Sequence, residues 1–249
     1  MAGVPTNIEW EGRGLRRLTI GAGLGLGGGL AAIVLPAAFL YLAAYNPGGF
    51  FGFTTQLIQT ISILVLAGAL LFIFSLILYR SSFWSFRRVD PRYSIAATLC
   101  LIGTVGFLLI VVGVGLLVGQ SSGVTGCLHG RPTQALTCLR SAQPLGSYTT
   151  LVGFVLGWLG GLGIVLGLVL SGLRYHRGWL YGGAILYGLL LLVLIGPFLT
   201  ALVSVPYATD FLLLAPLIVL FAPAAVFAGA GRALAAVRRP LPPGSGPPR

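Results

Sequence analysis

Residues 95–119 read IAATLCLIGTVGFLLIVVGVGLLVG and contain no charged side chain. An α-helix rises about 1.5 Å per residue, so roughly 20 apolar residues cross the hydrocarbon core of a bilayer. This stretch is long enough to span a membrane as a single helix. Its apolar run is continuous, whereas a transmembrane β-strand would be short and would alternate apolar with polar residues. The stretch therefore predicts an all-α integral membrane protein.

Similar apolar stretches lie on both sides of it and predict a bundle of about six transmembrane helices. The predicted spans are residues 18–45, 54–79, 95–119, 148–172, 179–205 and 211–231. They form a transmembrane domain over residues 18–236, between an amphipathic segment at 1–17 and a proline-rich tail at 237–249. The composition agrees, because 57% of the 249 residues are hydrophobic and 8% are charged, against about a quarter charged in soluble domains.

Two local patterns add detail to this map. Pro36 lies inside the first span and predicts a kink near residues 32–36, because proline cannot complete the helical hydrogen bonds. Residues 80–92 combine arginines with aromatic residues, which favours an interfacial loop whose rings lie at headgroup depth.

Arginines are divided unequally between the two sides of the map. The formal charge is +11, and all 15 basic residues are arginine. Only Arg131 and Arg140 lie on the side of the long loop between the third and fourth spans. The opposite side holds Arg13, Arg16, Arg17, Arg80, Arg87, Arg88, Arg92, Arg174, Arg177, Arg232, Arg238, Arg239 and Arg249. Because cytoplasmic loops are enriched in basic residues, we expect a multi-pass protein of the cell membrane with both termini in the cytoplasm.

The expected partners of the arginines at the span ends are anionic lipid headgroups of the bilayer. The candidate headgroup residues are Arg16, Arg17, Arg87, Arg88, Arg174, Arg177, Arg238 and Arg239. No nucleic-acid partner is expected, because the arginines form small separate groups rather than one basic groove or stripe.

Glycines four residues apart form stripes on two predicted spans. They are Gly21, Gly25 and Gly29 in the first span and Gly153, Gly157 and Gly161 in the fourth. Small residues let helix backbones approach closely in a membrane. Packing within the chain is the simpler explanation, and docking on a partner subunit or a second copy is the alternative. Further glycines on an adjacent face of the first span favour docking, because a helix needs two smooth faces only when both are buried.

Cys127 and Cys138 lie in the long loop that the arginine count places outside the cell, where disulfides persist. A structural disulfide is the favoured interpretation, and in the chain-entropy model it would contribute about 3 kcal/mol. A metal site that uses both thiols and His129 is the alternative, although it lacks an evident fourth ligand. Cys100, inside the third span, is expected to be a small packing residue.

Polar groups that could perform chemistry are scarce. The four acidic residues, Glu9, Glu11, Asp90 and Asp210, all lie away from the middle of the predicted spans, so ion-coupled transport is not expected. Phosphate-loop, HExxH and paired-carboxylate patterns are missing from the sequence, so we expect neither enzymatic activity nor a cofactor.

One polar patch could line an outward-facing vestibule. Gln56 and Gln59 lie at the start of the second span, and Asp210 precedes the sixth. If these ends meet, the three side chains would face a common opening. Alternatively, they satisfy one another across helices or face headgroups.

Residues 12–119 carry features of a known family. The features are Gly14-Leu15-Arg16-Arg17 before a glycine-rich span, Phe83-Trp84-Ser85-Phe86, and Asp90-Pro91-Arg92-Tyr93-Ser94-Ile95 at the start of the third span. In these the chain resembles a family of archaeal polytopic membrane proteins of unknown function. The resemblance implies a thermophilic archaeal source but no activity and no functional residues.

These patterns favour a non-catalytic structural or accessory subunit of a larger membrane complex, with partner subunits or further copies of the chain beside it. The alternative is a channel or facilitator for a small neutral solute. An accessory subunit is expected to have a dry bundle and an outward-facing glycine stripe, and a facilitator a continuous polar path between the helices.

Overall fold

The computed structural model of the protein describes residues 7–35, 38–39, 55–119, 144–203 and 215–238. Regular structure within these ranges is entirely helical, as their long apolar stretches require. The helices are α1 Asn7–Gly29, α2 Thr55–Arg87, α3 Tyr93–Gly119, α4 Pro144–Tyr175, α5 Gly178–Val203 and α6 Ala215–Arg238. The predicted all-α bundle of about six helices is confirmed.

The described helices have the length and composition of membrane spans. Five contain a sufficiently long apolar segment: Ile8–Val34, Ile63–Arg87, Tyr93–Gly113, Pro144–Tyr175 and Leu217–Val237. The remaining helix, α5, is apolar over Gly178–Val193 and continues to Val203. The chain is therefore a multi-pass membrane protein.

The six helices form a closed ring in chain order. Each packs against the helix before it and the helix after it, and α6 returns to pack against α1. The connection at 88–92 joins α2 to α3, and His176 ends α4 with a φ of 48°, in the left-handed region that commonly terminates helices. Such short connections make consecutive helices antiparallel neighbours. The ring therefore has an interior that all six helices can line.

One end of the ring brings together the starts of α1, α3 and α5 and the ends of α2, α4 and α6. We call it the arginine-rich end. Contacts between its helices include the ion pair of Glu11 with Arg174 and the Arg232 guanidinium over the Trp179 ring. This is the end that the arginine count predicts to be cytoplasmic, and its orientation stays a prediction.

Helix α1 differs from its predicted bounds. The segment at 1–17 was expected to be separate from the first span, but the helix begins at Asn7 and runs without interruption to Gly29. Leu15 and Leu18 are both fully buried in the bundle core. Residues 7–17 therefore belong to the first helix. The polar residues among them hid the apolar face, which packs inward, from a reading based on hydropathy.

Helix α2 also extends beyond its predicted end. The sequence predicts a loop over residues 80–92, whereas the helix continues to Arg87 and only residues 88–92 connect it to α3. Tyr79, Phe83 and Phe86 recur at helical spacing and are buried. The arginines therefore lie on the outer face of a helix whose inner face stays aromatic.

A widened turn occupies the place of the predicted kink. Residues Leu30–Val34 form a π-helical turn, and the Leu35 N–H donates to the Leu30 carbonyl five residues earlier. Single π turns commonly interrupt α-helices near a site of strain, and a proline within a helix is one source of such strain. Pro36 lies outside the described residues, so the kink itself stays a prediction.

The buried core lies toward the arginine-rich end and draws on every helix. Its members are Leu15, Leu18, Ala22, Tyr79, Phe83, Phe86, Tyr93, Ala96, Ala97, Cys100, Ile164, Leu168, Leu180, Ala184, Tyr187, Ala222, Val226, Ala230 and Ala233. Lipid tails are as apolar as leucine, so close packing and hydrogen bonds hold such a core together.

Candidate functional site

Four large aromatic side chains fill the core and are at most 1% exposed: Tyr79, Phe83, Phe86 and Tyr93. We call them the aromatic layer. The ring centres of Phe86 and Tyr93 lie 5.2 Å apart, and Phe83 lies 6.2 Å from both Tyr79 and Tyr93. Pairs of this kind contribute about 0.5–1.5 kcal/mol beyond their buried area. The layer ties α2 to α3 inside the ring.

Hydroxyl groups around the aromatic layer bond to one another across helices. The Tyr79 and Tyr187 hydroxyl oxygens lie 3.3 Å apart, which links α2 to α5. Tyr93 Oη donates to Ser171 Oγ over 3.4 Å, and Ser171 Oγ donates to the Gly167 carbonyl over 2.8 Å. The phenol oxygen of Tyr175 is an exception, because it is buried and reaches no hydrogen-bond partner among the described residues.

Serines of α2 bond directly to the backbone of α1. Ser75 Oγ donates to the Gly21 carbonyl over 2.7 Å, and Ser82 Oγ donates to the Gly14 carbonyl over 2.8 Å. Both serines are buried. Interhelical hydrogen bonds in membranes contribute on average about 0.6 kcal/mol each. They fix the register of α2 along α1.

The predicted glycine stripe of α1 faces the interior of the ring. A Cβ on Gly21 would lie 3.2 Å from the Leu78 side chain of α2, and one on Gly29 would lie 3.2 Å from the Val219 carbonyl of α6. A Cβ on Gly25 would lie 3.0 Å from Ser75 Oγ of α2. Because α2 and α6 flank α1, both smooth faces of this helix are used within the chain.

The predicted stripe of α4 divides between two neighbours. A Cβ on Gly153 would lie 2.7 Å from the Ile110 nitrogen of α3, and one on Gly157 would lie 3.7 Å from the Ile110 side chain. Gly161 instead meets the Leu191 side chain of α5. At these positions and in α1 the glycines face other helices of the chain, so the outward stripe expected of an accessory subunit is not found there.

The closest helix seam joins α3 to α4 through other glycines. Gly103 and Gly160 face each other so closely that a Cβ on either would overlap the backbone of the other. A Cβ on Gly106 would lie 2.7 Å from the Gly153 carbonyl, and one on Gly163 would lie 2.9 Å from the Ala96 carbonyl. The sequence did not predict this seam, because its glycines are three residues apart on each helix and their contact depends on how two separate helices align.

An apolar cavity of about 290 Å³ lies in the interior of the ring, beyond the core. Helices α2 to α6 all contribute residues to its wall, and the π turn after α1 contributes one. The lining residues are Ile33, Phe72, Phe107, Ile110, Phe154, Gly157, Trp158, Leu190, Leu191 and Val219. The Trp158 indole N–H donates to the Leu191 carbonyl over 3.2 Å, so its polar group is already satisfied. The cavity can accept an apolar molecule.

The predicted headgroup arginines lie at the arginine-rich end where the structure describes them. Arg16, Arg17, Arg87, Arg88 and Arg174 are exposed. Arg17 donates to Ser85 Oγ over 3.0 Å. Arg177 is partly buried, Arg238 is the last residue of α6, and Arg239 lies outside the described residues.

Several other predicted residues lie outside the described structure. Cys127, Cys138 and Asp210 are among them, so the structure gives no support to the disulfide, which stays a prediction. Gln56 and Gln59 lie near the start of α2, but their side chains are not described, so the vestibule also stays a prediction.

Two features of the first helix were missed at the sequence level. Glu11 pairs with Arg174 of α4, and its Oε1 accepts from the Arg174 Nε over 3.1 Å. Trp10 accepts the guanidinium groups of Arg13 and Arg88 against its ring. The spacing of Trp10, Arg13 and Arg17 was a signal in the sequence that these residues share one face of a helix, because residues three and four apart lie on the same side.

These observations define the class: a polytopic α-helical membrane protein whose helices form a ring around one shared core. Comparisons with protein-family models, curated proteins and solved structures found no match to this chain. The resemblance to an archaeal membrane-protein family therefore stays a prediction.

Proposed function

We propose that the protein is a non-catalytic structural or accessory subunit of a larger membrane complex. In this proposal it lies in the cell membrane with both termini in the cytoplasm. The observation that carries the proposal is the continuous core shared by all six helices, in which hydroxyl groups join α2 to α5 and α3 to α4.

A core of this kind supports a static role. Close backbone contacts at Gly103 and Gly160 leave no space for α3 to slide past α4, because interiors at this density resist overpacking. The serine bonds fix α2 along α1 in the same way. A protein whose helices are fixed in register is suited to hold other subunits in position.

The glycine stripes no longer serve as evidence for a partner surface, because they pack within the chain. Partner contacts would therefore use the outward faces of the helices. Large apolar side chains are exposed along α2, and they include Ile63, Leu66, Leu70 and Phe74. Such faces can contact either lipid tails or the helices of another subunit.

The test is co-purification. The untagged protein is isolated from its native membrane in mild detergent, and the proteins that travel with it are identified and quantified by mass spectrometry. Membranes from a strain that lacks the protein serve as the control. Other subunits in fixed stoichiometry are expected, and recovery of the protein alone or only as a homo-oligomer would contradict the proposal.

A second candidate is a facilitator for a small neutral solute, and the observation that favours it is the cavity inside the ring, whose walls are apolar rather than the polar path that the sequence analysis expects. A solute crossing the bundle would pass through this space. Flux of small neutral solutes into liposomes separates the two functions. A facilitator would give flux above that of empty liposomes, and Leu191→Trp, which fills the cavity, would reduce it; a structural subunit would give no flux.

A further inference from the structure

Two tryptophans at the arginine-rich end lie against three arginines, one each from α1, α2 and the connection that follows α2. The guanidinium carbons of Arg13 and Arg88 both lie 5.3 Å from the centre of the Trp10 ring. The Arg87 guanidinium carbon lies 4.6 Å from the centre of the Trp84 ring. We call these five residues the arginine–tryptophan cluster. Cation–π attraction of about 0.5–1 kcal/mol per exposed contact favours these positions of the guanidinium groups over the rings.

Carboxylates in the described part of the chain form no ion pair with the cluster, and the one nearest to Arg13 on its face of α1 is Glu9, four residues earlier. The ion pair of Glu11 is with Arg174, on α4. Asp90 accepts from the Arg92 backbone N–H over 2.9 Å. Neither Arg13, Arg87 nor Arg88 forms an ion pair among the described residues. Clustered guanidinium groups repel one another, and an anion that joins them removes that repulsion.

The cluster borders a cavity with room for a phosphate group, and Arg13 adjoins this cavity through the Trp10 ring that it shares with Arg88. A cavity of about 290 Å³ lies against Trp84, Arg87 and Arg88, and its walls are mainly polar. Arginine binds phosphate through two parallel N–H donors, which a lysine cannot reproduce. Arg17, one turn from Arg13 on α1, lies beside the cluster and donates to Ser85 Oγ.

The surface beside the cluster is apolar and faces outward. Trp84 is 48% exposed, and Phe74 and Ile77 are exposed further along the same helix. An anion bound at the cluster would therefore have apolar surface directly beside it, in the direction of the membrane interior. Tryptophan commonly lies at the depth of lipid headgroups. This arrangement favours an amphiphile over a soluble anion.

We infer that the arginine–tryptophan cluster binds the phosphate of an acidic glycerophospholipid, with the acyl chains along the exposed face of α2. The site differs from general attraction of basic residues to an anionic surface, since it requires planar guanidinium groups held on tryptophan rings. It is independent of the proposed structural role.

Native mass spectrometry tests this inference. The purified full-length protein is equilibrated in mixed micelles of phosphatidylglycerol and phosphatidylcholine, and the lipids retained on the protein are counted. The wild-type protein is expected to retain one phosphatidylglycerol about tenfold more readily than phosphatidylcholine. The double variant Arg13→Gln with Arg88→Gln is expected to lose this preference.

A matched control removes the same charge elsewhere at the same end. Arg80→Gln with Arg92→Gln changes two arginines that lie outside both the cluster and the candidate headgroup residues, one partly buried and one exposed. This variant is expected to alter retention less than twofold. An equal loss in both double variants would show general charge attraction and overturn the inference. Equal retention in wild type and in the Arg13→Gln, Arg88→Gln variant would also overturn it.

Two further arms address the chemistry and the source of the phosphate. Arg13→Lys with Arg88→Lys keeps the charge and serves if the glutamine variant does not fold. It is expected to lower retention severalfold, and full retention would overturn the requirement for guanidinium groups. Inorganic phosphate at millimolar concentration is expected to leave the lipid bound, and its displacement of the lipid would overturn the lipid as the ligand.

Discussion

At the residue scale, glycine determines how closely the helices approach. In water a core is stabilised mainly by removing apolar surface from solvent, but lipid offers an equally apolar environment to a helix. Cohesion then depends on contacts that only small residues allow. Gly103 and Gly160 bring α3 and α4 to backbone contact, whereas Gly188 of α5 has open space where a Cβ would project.

This contrast yields a prediction for two substitutions of the same kind. Gly160→Ala places a methyl group against the Gly103 backbone and is expected to lower the free energy of unfolding by about 1–3 kcal/mol. Gly188→Ala meets no neighbour and is expected to be neutral or to stabilise by up to about 1 kcal/mol, because alanine favours the helix. Thermal unfolding in one detergent measures both. Equal effects of the two substitutions would mean that the seam is not closely packed.

At the element scale, the sequence predicted the existence of the helices better than their ends. Apolar length is sufficient to identify a membrane span, so the bundle of about six helices followed from the lengths and positions of the apolar stretches. The ends of α1 and α2 were misjudged because Arg13 and Arg80 interrupt the apolar run, although inner-face residues such as Leu15 and Phe86 continue the helical spacing. At a membrane interface a helix continues as long as one face packs.

The ion pair between Glu11 and Arg174 supplies a prediction at this scale, because it joins α1 to α4, which are not neighbours in the ring. Both side chains are partly exposed, so the pair is expected to contribute no more than about 1 kcal/mol. Glu11→Gln and Arg174→Gln should each lower the melting temperature slightly, and the double variant should lower it by less than their sum. Strictly additive effects would show that the two side chains do not interact.

At the scale of the whole molecule, the ring could not have been predicted from the sequence. Short connections implied antiparallel neighbours, but the closure of α6 onto α1 depends on side chains that meet only in three dimensions, such as Gly29 and Val219. The aromatic layer could not be predicted either, because the sequence suggested that Phe83 and Phe86 lie at the membrane interface, whereas both are buried in the core. The headgroup arginines were predictable as a group, since charge at span ends is a local property. Their organisation by Trp10 was not.

The central claim is that the six helices form one bundle and that its arginine-rich end faces the cytoplasm. Cysteine labelling tests it most directly, in a background in which Cys100, Cys127 and Cys138 are replaced. Single cysteines are introduced at Arg92 and Gly178, at the arginine-rich end, and at Leu145, at the opposite end of α4. A membrane-impermeant maleimide applied to intact cells is expected to label Leu145→Cys alone, and to label Arg92→Cys and Gly178→Cys only after the membrane is permeabilised. Labelling of Arg92→Cys or Gly178→Cys in intact cells would contradict the account.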